Sequence, residues 1–363
     1  MSASLSSSIL FFTKYTRKGA SSRYRSFQYL PFLKDAGFEC SVSSLFDDRY
    51  LEDLYTRGHV AWWYIAVAYL RRLWVLCRVN RYDLLVIEKE LFPYLPAWGE
   101  RVLSLLGVPY VVDLDDAIFH QYDRHKNAAV RWVLGNKISH VIALSKHTIV
   151  GNNYLALYAE KSGAKGVSII PTAVDTNRYN AVPDTMHSMK KFTIGWIGSP
   201  TTTRYLASIS AALKKTCEVN KFRVIALGAT TLHIPGIDLE TRPWTEASEI
   251  EELKQFDVGI MPLPCDPWAQ GKCGLKLIQY MACGLPVVAS PVGVNTEIVE
   301  SGVNGFLAED MASWIEALTH LAQNPSDTRC LGMAGKDKVE RLYSLNHTAP
   351  LMISLFTSLV EKR

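Results

Sequence analysis

Residues 270–310, QGKCGLKLIQYMACGLPVVASPVGVNTEIVESGVNGFLAED, run in order through a small-residue loop, an amphipathic helix, a Gly-Pro break, a short buried strand and a glycine-rich turn. Leu275, Leu277, Ile278 and Met281 form the helix's apolar set, with Lys276 and Gln279 on other faces. Gly284 ends the helix, and Pro286 prevents its continuation. Val287, Val288 and Ala289 read as a strand buried on both faces, the parallel-sheet kind. Gly271 and Gly274 let backbone approach a ligand at the helix start, where free N–H groups and the helix dipole favour an anion.

Outward from this unit, apolar strands alternate with helical stretches, which predicts an α/β protein with parallel sheets wound by crossover helices. In the first half the expected strands are Ile9–Phe12, Cys40–Leu45, Leu84–Ile87, Tyr110–Val112, Val141–Leu144 and Val167–Ile170. In the second half they are Phe192–Ile197, Val224–Leu227, Val258–Met261 and Val287–Ala289. Between the halves, PTAVDTNRYNAVPDTMHSMKK (171–191) has two prolines and no apolar periodicity, so it reads as an interdomain linker.

The 363 residues suffice for two ordinary domains, and 48% hydrophobic with 20% charged residues suits a globular α/β chain. A net charge of +4 makes no case for nucleic acid. The basic residues are uneven, however: Lys14, Arg17, Lys18, Arg23 and Arg25 crowd one stretch, and Arg71, Arg72, Arg78 and Arg81 another. The seven cysteines form no CxxC pair and no His/Cys metal spacing, a usage that fits a reducing cytoplasm. Ile9–Phe12 is too short for a secretory signal and reads as the first strand.

The stretch GLKLIQYMACGLPVVASPVG, with Glu297-Ile298-Val299 and the GVNGFLA turn after it, resembles the donor-sugar site of the retaining family 4 glycosyltransferases. PTAVDTNRY resembles the phrase that closes their N-terminal domain, with Thr172-Ala173 where relatives have Asn-Gly. The resemblance implies the GT-B fold: two Rossmann-like domains with parallel sheets facing across a cleft. An acceptor-binding domain at 1–178 and a donor-binding domain at 185–344 are expected, with residues from about 345 packing back on the first through Leu351, Ile353, Leu355 and Phe356.

The same resemblance assigns roles. Gly198, Ser199, Thr201 and Arg204 of IGWIGSPTTTRYL stand where the family's loop approaches the donor phosphates, and a helix cap at Ser199 with a solvated Arg204 is the alternative. Lys276 would meet the leaving diphosphate as a point charge, with Lys272 a weaker candidate. Relatives carry two glutamates where this chain has Gly271 and Gln279; Gln279 can still hydrogen-bond ribose hydroxyls. Gly274, Gly293, Val294 and Asn295 would line the donor pocket. Glu297 is a candidate for sugar hydroxyls or a helix-start carboxylate. Gly19, in a loop that opens towards the acceptor and the diphosphate, would permit close approach of the donor, while on the acceptor side Arg23 and Arg25 supply charge. Asp113, Asp115 and Asp116 lie at a strand end, where ligands gather in open α/β sheets. There Asp115 and Asp116 are candidates to accept an acceptor proton, or to cap the following helix. Glu88 ends another strand.

Retaining enzymes of this kind lack a clear nucleophile, so catalysis is expected to be electrostatic, with no metal and no other cofactor. HVAWWYIAVAYLRRLWVLCRV (59–79) is too short in its apolar run to span a bilayer. Its tryptophans and arginines suit either a helix on an anionic membrane surface or a core helix of the first domain. The expected function is transfer of a sugar from a nucleotide-diphosphate donor to a glycan or lipid-linked acceptor in bacterial surface-polysaccharide assembly (lipopolysaccharide, O-antigen or capsule). The enzyme is expected to be cytoplasmic and peripheral at the inner face of the membrane. Two alternatives are a GT-B nucleotide-sugar epimerase and a non-catalytic sugar-nucleotide-binding scaffold. A dinucleotide oxidoreductase is disfavoured, since no G-x-G-x-x-G follows the first strand.

Overall fold

The computed structural model describes residues 7–180, 191–219, 222–229 and 232–361. Their contacts divide into two units. The first holds the described residues up to Thr172, together with Gly271–Cys273 and those from Thr348 onward. The second holds the described residues of Ala173–Gln270 and Gly274–His347.

The first unit is built on six parallel strands: β1 (Ser8–Thr13), β2 (Glu39–Ser44), β3 (Leu84–Glu88), β4 (Tyr110–Leu114), β5 (His147–Val150) and β6 (Val167–Ile169). They are ordered β2-β1-β3-β4-β5-β6. β3 and β4 are buried at every position, as central strands between helical layers are, and they carry the buried carboxylates Glu88 and Asp113 near their carboxyl ends. The order reverses between β1 and β3, so the carboxyl ends of those strands flank the sheet's switch point, where open α/β sheets place ligands.

One expected strand of this unit is wrong. Val141–Leu144 lies in the helix Lys137–Leu144, and the sheet position belongs to His147–Val150. Ile138, Val141 and Ile142 are buried at helical spacing, a pattern that a short apolar run shares with a strand. The terminal helix, Leu345–Glu361, buries Met352, Phe356 and Leu359, and Phe356 meets Phe11 of β1 at 6.2 Å between ring centroids. Leu351, expected on that face, is instead exposed. Tyr29 Oη donates to Thr348 Oγ1 at 2.9 Å, and Lys146 Nζ donates to the Leu359 carbonyl at 2.6 Å.

The second unit has β7 (Thr193–Ile197), β8 (Arg223–Leu227), β9 (Leu239–Arg242), β10 (Val258–Met261), β11 (Val287–Ala289) and β12 (Gly305–Leu307), ordered β12-β11-β10-β7-β8-β9. All pair in parallel, and the order reverses between β7 and β10. Sequence reading passed over β9 and β12. Both are edge strands, one with Glu240 and Arg242 in four residues, the other three residues long inside a glycine turn. From Ala173 the stretch read as a linker is ordered structure of this unit: Val174 bridges Ser344, and Thr176–Asn180 is helical. Its residues 181–190 lie outside the described residues.

Candidate functional site

In the second unit, β7 and β10 are in register only at Ile194–Val258 and Gly195–Gly259. Beyond that point the hydroxyl of Tyr280, from the helix Leu275–Ala282, bridges the parting strands. It accepts from Ile197 N–H at 2.8 Å and lies 3.4 Å from the Ile260 carbonyl. Gly259 makes room for this ring, since a Cβ there would lie 2.2 Å from Tyr280. Gly198 directly follows β7 at the switch point, the place where open α/β sheets gather ligands. A Cβ on Gly198 would come within 2.1 Å of the Trp196 ring and 2.8 Å of Thr202 Oγ1. Over that Trp196 ring, 4.2 Å from its centroid, sits the ammonium of Lys276. Gly198, Trp196 and Lys276 are thus one cluster, and Tyr280 fixes the strand end beside it through the Ile197 N–H.

The neighbouring residues are more local than the sequence suggested. Ser199 caps the turn Pro200–Thr202, its N–H donating to Thr202 Oγ1 at 3.0 Å and its hydroxyl 2.9 Å from Thr201 Oγ1. Arg204 is exposed and reaches Tyr205, with Nη2 3.2 Å from its hydroxyl. Gln279 is buried on the helix. Gly274 has φ +68° and would strike Ile298 if it carried a Cβ. Gly293 has φ +54° and is packed against the backbone of Gln270. Asn295 does not offer its N–H outward: that group donates to Val292 O at 3.2 Å, and Nδ2 donates to Ser290 O at 3.0 Å. Val294 is buried, while Glu297 is exposed in the first turn of the short helix Asn295–Ile298.

In the first unit a charged network gathers at the carboxyl ends of β1, β3 and β4. Lys89, one residue past β3, adopts φ +64°, a left-handed conformation costly for a side chain bearing a Cβ. Its ammonium lies 2.8 Å from Asp115, 3.8 Å from Asp116 and 2.9 Å from Ser21 Oγ. Burial alone would push the Asp115 carboxyl up. Lys89 and the donated hydroxyl of Ser21 more than offset it and bring the pKa down to about 2. Lys89 itself, opposed by burial, is raised by Asp115, Asp116 and Glu88 and stays protonated. Asp116 also pairs with Lys272, 2.8 Å away. Glu88 accepts from Lys14 N–H at 2.9 Å and from Ser22 Oγ at 2.6 Å, which ties the loop after β1 to β3. Burial shifts Glu88 upward, so it and Asp115 diverge in proton affinity.

Four expectations change here. Arg25 and Asp113 do not face an acceptor; they are buried and bound to each other, Nε–Oδ2 at 3.0 Å and Nη2–Oδ1 at 2.6 Å. Arg25 Nη1 donates to Ile170 O at 2.8 Å, so the guanidinium tethers β4 to the end of β6. Although burial works against it, Asp113 raises the Arg25 pKa. Lys272, expected near a donor diphosphate, is held on Asp116. Arg23 is buried over the Tyr24 ring, its Nη1 donating to Arg17 O at 3.3 Å. Gly19 is required by packing, because a Cβ would lie 2.5 Å from Tyr15.

Sequence reading missed Lys89, Ser21, Trp196 and Tyr280. Lys89 had a signal, since it directly follows Glu88 at a strand end, whereas Tyr280 looked like one more apolar helix residue.

A family model described as "Glycosyl transferases group 1" matches residues 192–324. Two curated proteins named D-inositol 3-phosphate glycosyltransferase are similar over shorter stretches. The one from Stackebrandtia nassauensis is 30% identical over 92 residues, and that from Nocardioides sp. is 34% identical over 85. These stretches are 25% and 23% of this chain, and span only 20% and 18% of those relatives' lengths. Among solved structures, a glycosyltransferase from Rickettsia africae is similar with a TM-score of 0.73 at 11% identity, covering 99% of this chain and 100% of that one. HepE from Anabaena, in complex with UDP, gives 0.70 at 14% identity over 97% of this chain and 100% of that one. Sucrose-phosphate synthase from Thermosynechococcus elongatus gives 0.69 at 14% identity over 98% and 100%. Residues 192–324 therefore carry a glycosyl transferases group 1 domain, in a chain whose two α/β units have the GT-B fold.

Proposed function

We propose that the chain is a retaining glycosyltransferase of the family 4 type that moves a sugar from a nucleotide-diphosphate donor to a glycan or lipid-linked acceptor. The observation that carries this reading is the cluster of Gly198, Trp196 and Lys276 at the switch point of the second sheet, inside the matched domain. A glycine loop lets backbone approach a diphosphate, and the ammonium beside it supplies charge as the sugar–phosphate bond breaks. Exposed Arg204 is a second cation for that group. The reading draws on no metal or other cofactor.

On the acceptor side, Asp116 is the group to receive the hydroxyl proton, while Asp115, held ionised by Lys89, orients the acceptor. Lys89 and Lys272 balance the carboxylates. Support for a nucleotide-sugar donor comes from HepE, whose structures include one with UDP-glucose. An acceptor in bacterial surface-polysaccharide assembly follows from the family resemblance, and fits the exposed tryptophans of the helix Trp62–Leu76. Trp62 is 79% exposed and Trp63 50%, an apolar face suited to resting on a membrane surface at the cytoplasmic side.

The test is a panel of nucleotide-diphosphate sugars, scored by thermal shift and then by transfer to lipid-linked acceptors. One donor raising the melting temperature, with product formed, supports the reading. A panel that neither shifts melting nor yields product overturns it; free epimerised sugar without acceptor would replace it with an epimerase.

A further inference from the structure

A cavity of about 570 Å³ opens in the first unit, lined by β1, β2, the second half of the helix Trp62–Leu76 and the turn Val79–Arg81 that follows it. This volume is in the range of small-molecule sites. Three guanidinium groups line it, from Arg71, Arg78 and Arg81. Among the described residues none of the three is ion-paired to a carboxylate. Arg71 is anchored by donating to the Ser44 and Leu45 carbonyls at 3.1 and 2.8 Å. Arg78 sits over Trp74, its guanidinium carbon 3.4 Å from the ring centroid, a contact that restrains the group while it remains exposed.

The carboxylate in the lining, Asp47, accepts from Tyr50 N–H at 3.3 Å and caps the helix Asp48–Arg57. Charge in the cavity is therefore positive. Hydroxyls of Ser41 and Ser43 on β2 add neutral donors. Several ordered guanidinium forks with hydroxyls beside them match the tetrahedral, multiply accepting oxygens of a phosphate. A carboxylate ligand would leave most of those donors unused.

The source of the phosphate is indicated by the same helix. Trp62, Trp63, Val67, Leu70 and Trp74 are all at least half exposed along it, too much contiguous apolar surface to be left to water. Apolar residues that can enter the acyl boundary, with arginines at one end, are the pattern of an interfacial helix on anionic lipid.

We propose that this cavity binds a phosphate-bearing headgroup presented by an anionic phospholipid surface. The lipid source rests on the membrane reading given above, whereas the phosphate site stands on its own geometry. Binding here would fix the rotational setting of the first unit on the bilayer, which apolar contact alone leaves free.

The test uses the full chain with phosphatidylcholine vesicles, with and without phosphatidylglycerol, and separately with glycerol 3-phosphate and inorganic phosphate in solution. Cosedimentation should favour the phosphatidylglycerol vesicles by roughly tenfold or more. Replacing two of the three exposed arginines, Arg78→Gln with Arg81→Gln, should remove that preference, while the melting temperature without ligand stays unchanged. Glycerol 3-phosphate should raise the melting temperature of the native chain and not of the variant. A variant that keeps the full preference for anionic vesicles overturns the headgroup site. Binding of the soluble phosphates with no vesicle retention overturns the lipid source. Trp62→Ser with Trp63→Ser tests the membrane reading by itself, because it leaves all three arginines in place; lost retention on both vesicle types with an intact glycerol 3-phosphate response would uphold the phosphate site.

Discussion

Lys89 Nζ lies 2.8 Å from Asp115 Oδ1, and the Lys89 backbone takes φ +64° to bring it there. A buried ammonium and a nearly buried carboxylate thus share the switch point of the first sheet. A strained backbone is retained where surrounding structure compensates for it, and here the compensation is electrostatic. Removing Lys89 leaves Asp115 under the influence of burial.

In Lys89→Met, the Asp115 carboxyl is expected to titrate above the ordinary aspartate range instead of at about 2. The acid limb of the pH–activity profile should move upward with it. Carboxyl chemical shifts followed through a pH titration check this; an Asp115 that still titrates near its original value contradicts the assignment.

Linkage carries a second expectation for the same residue. The folded pKa of Asp115 is below its unfolded value, so its contribution to stability is present above about pH 4 and disappears as pH falls towards 2. Asp115→Asn should therefore cost on the order of 2 kcal/mol near neutrality and progressively less below pH 4. Urea unfolding at pH 7, 4 and 2.5 measures the gap between the two proteins.

Tyr280→Phe removes the hydroxyl that receives the buried Ile197 N–H at 2.8 Å. The unsatisfied amide should cost about 1–3 kcal/mol, seen as a lower denaturant midpoint with an unchanged slope. Hydrogen exchange at Ile197 should accelerate as well, and a protected Ile197 amide in the variant would argue against this role.

Lys276→Met should lower turnover by roughly 100-fold through loss of charge at the leaving group. Its stability should fall by no more than about 1 kcal/mol, because the contact with Trp196 is a partly exposed cation–π interaction. Comparing kcat with the melting temperature separates the two effects; wild-type turnover removes Lys276 from the mechanism.

Arg25 and Asp113 behave oppositely to surface ion pairs. Either single change, Arg25→Met or Asp113→Asn, should destabilise by about 3–5 kcal/mol because one buried charge is left alone. The double change should recover part of that loss, which a double-mutant cycle in urea would show.

Much of the fold was legible because its signals are local. Val287–Ala289 is apolar throughout, and Gly284 and Pro286 punctuate the chain before it, so the helix-break-strand unit follows from residues close in sequence. The first-half strands other than the fifth were legible for the same reason. The fifth was misplaced because ISHVIAL satisfies a helix and a strand equally over so few residues, and only packing against the sheet separates them. In the candidate site, the residue types were visible while their partners were not. Arg25 looked like a free cation until Asp113, 88 positions later, occupied it.

By itself, the order of residues determined the alternation of strands and helices, the glycine positions at 198, 274 and 293, and the presence of Lys276 at a helix start, since each depends on backbone preferences within a few residues. Tertiary structure alone decided which charges are left to act. Lys89 reaches Asp115 and Lys272 reaches Asp116 across long separations in the chain, and at Asp115 burial and the Lys89 ammonium then oppose each other in setting how tightly the proton is held. Proton affinity depends on distance in space and on lost water, and neither is written in the spacing of residues along the chain.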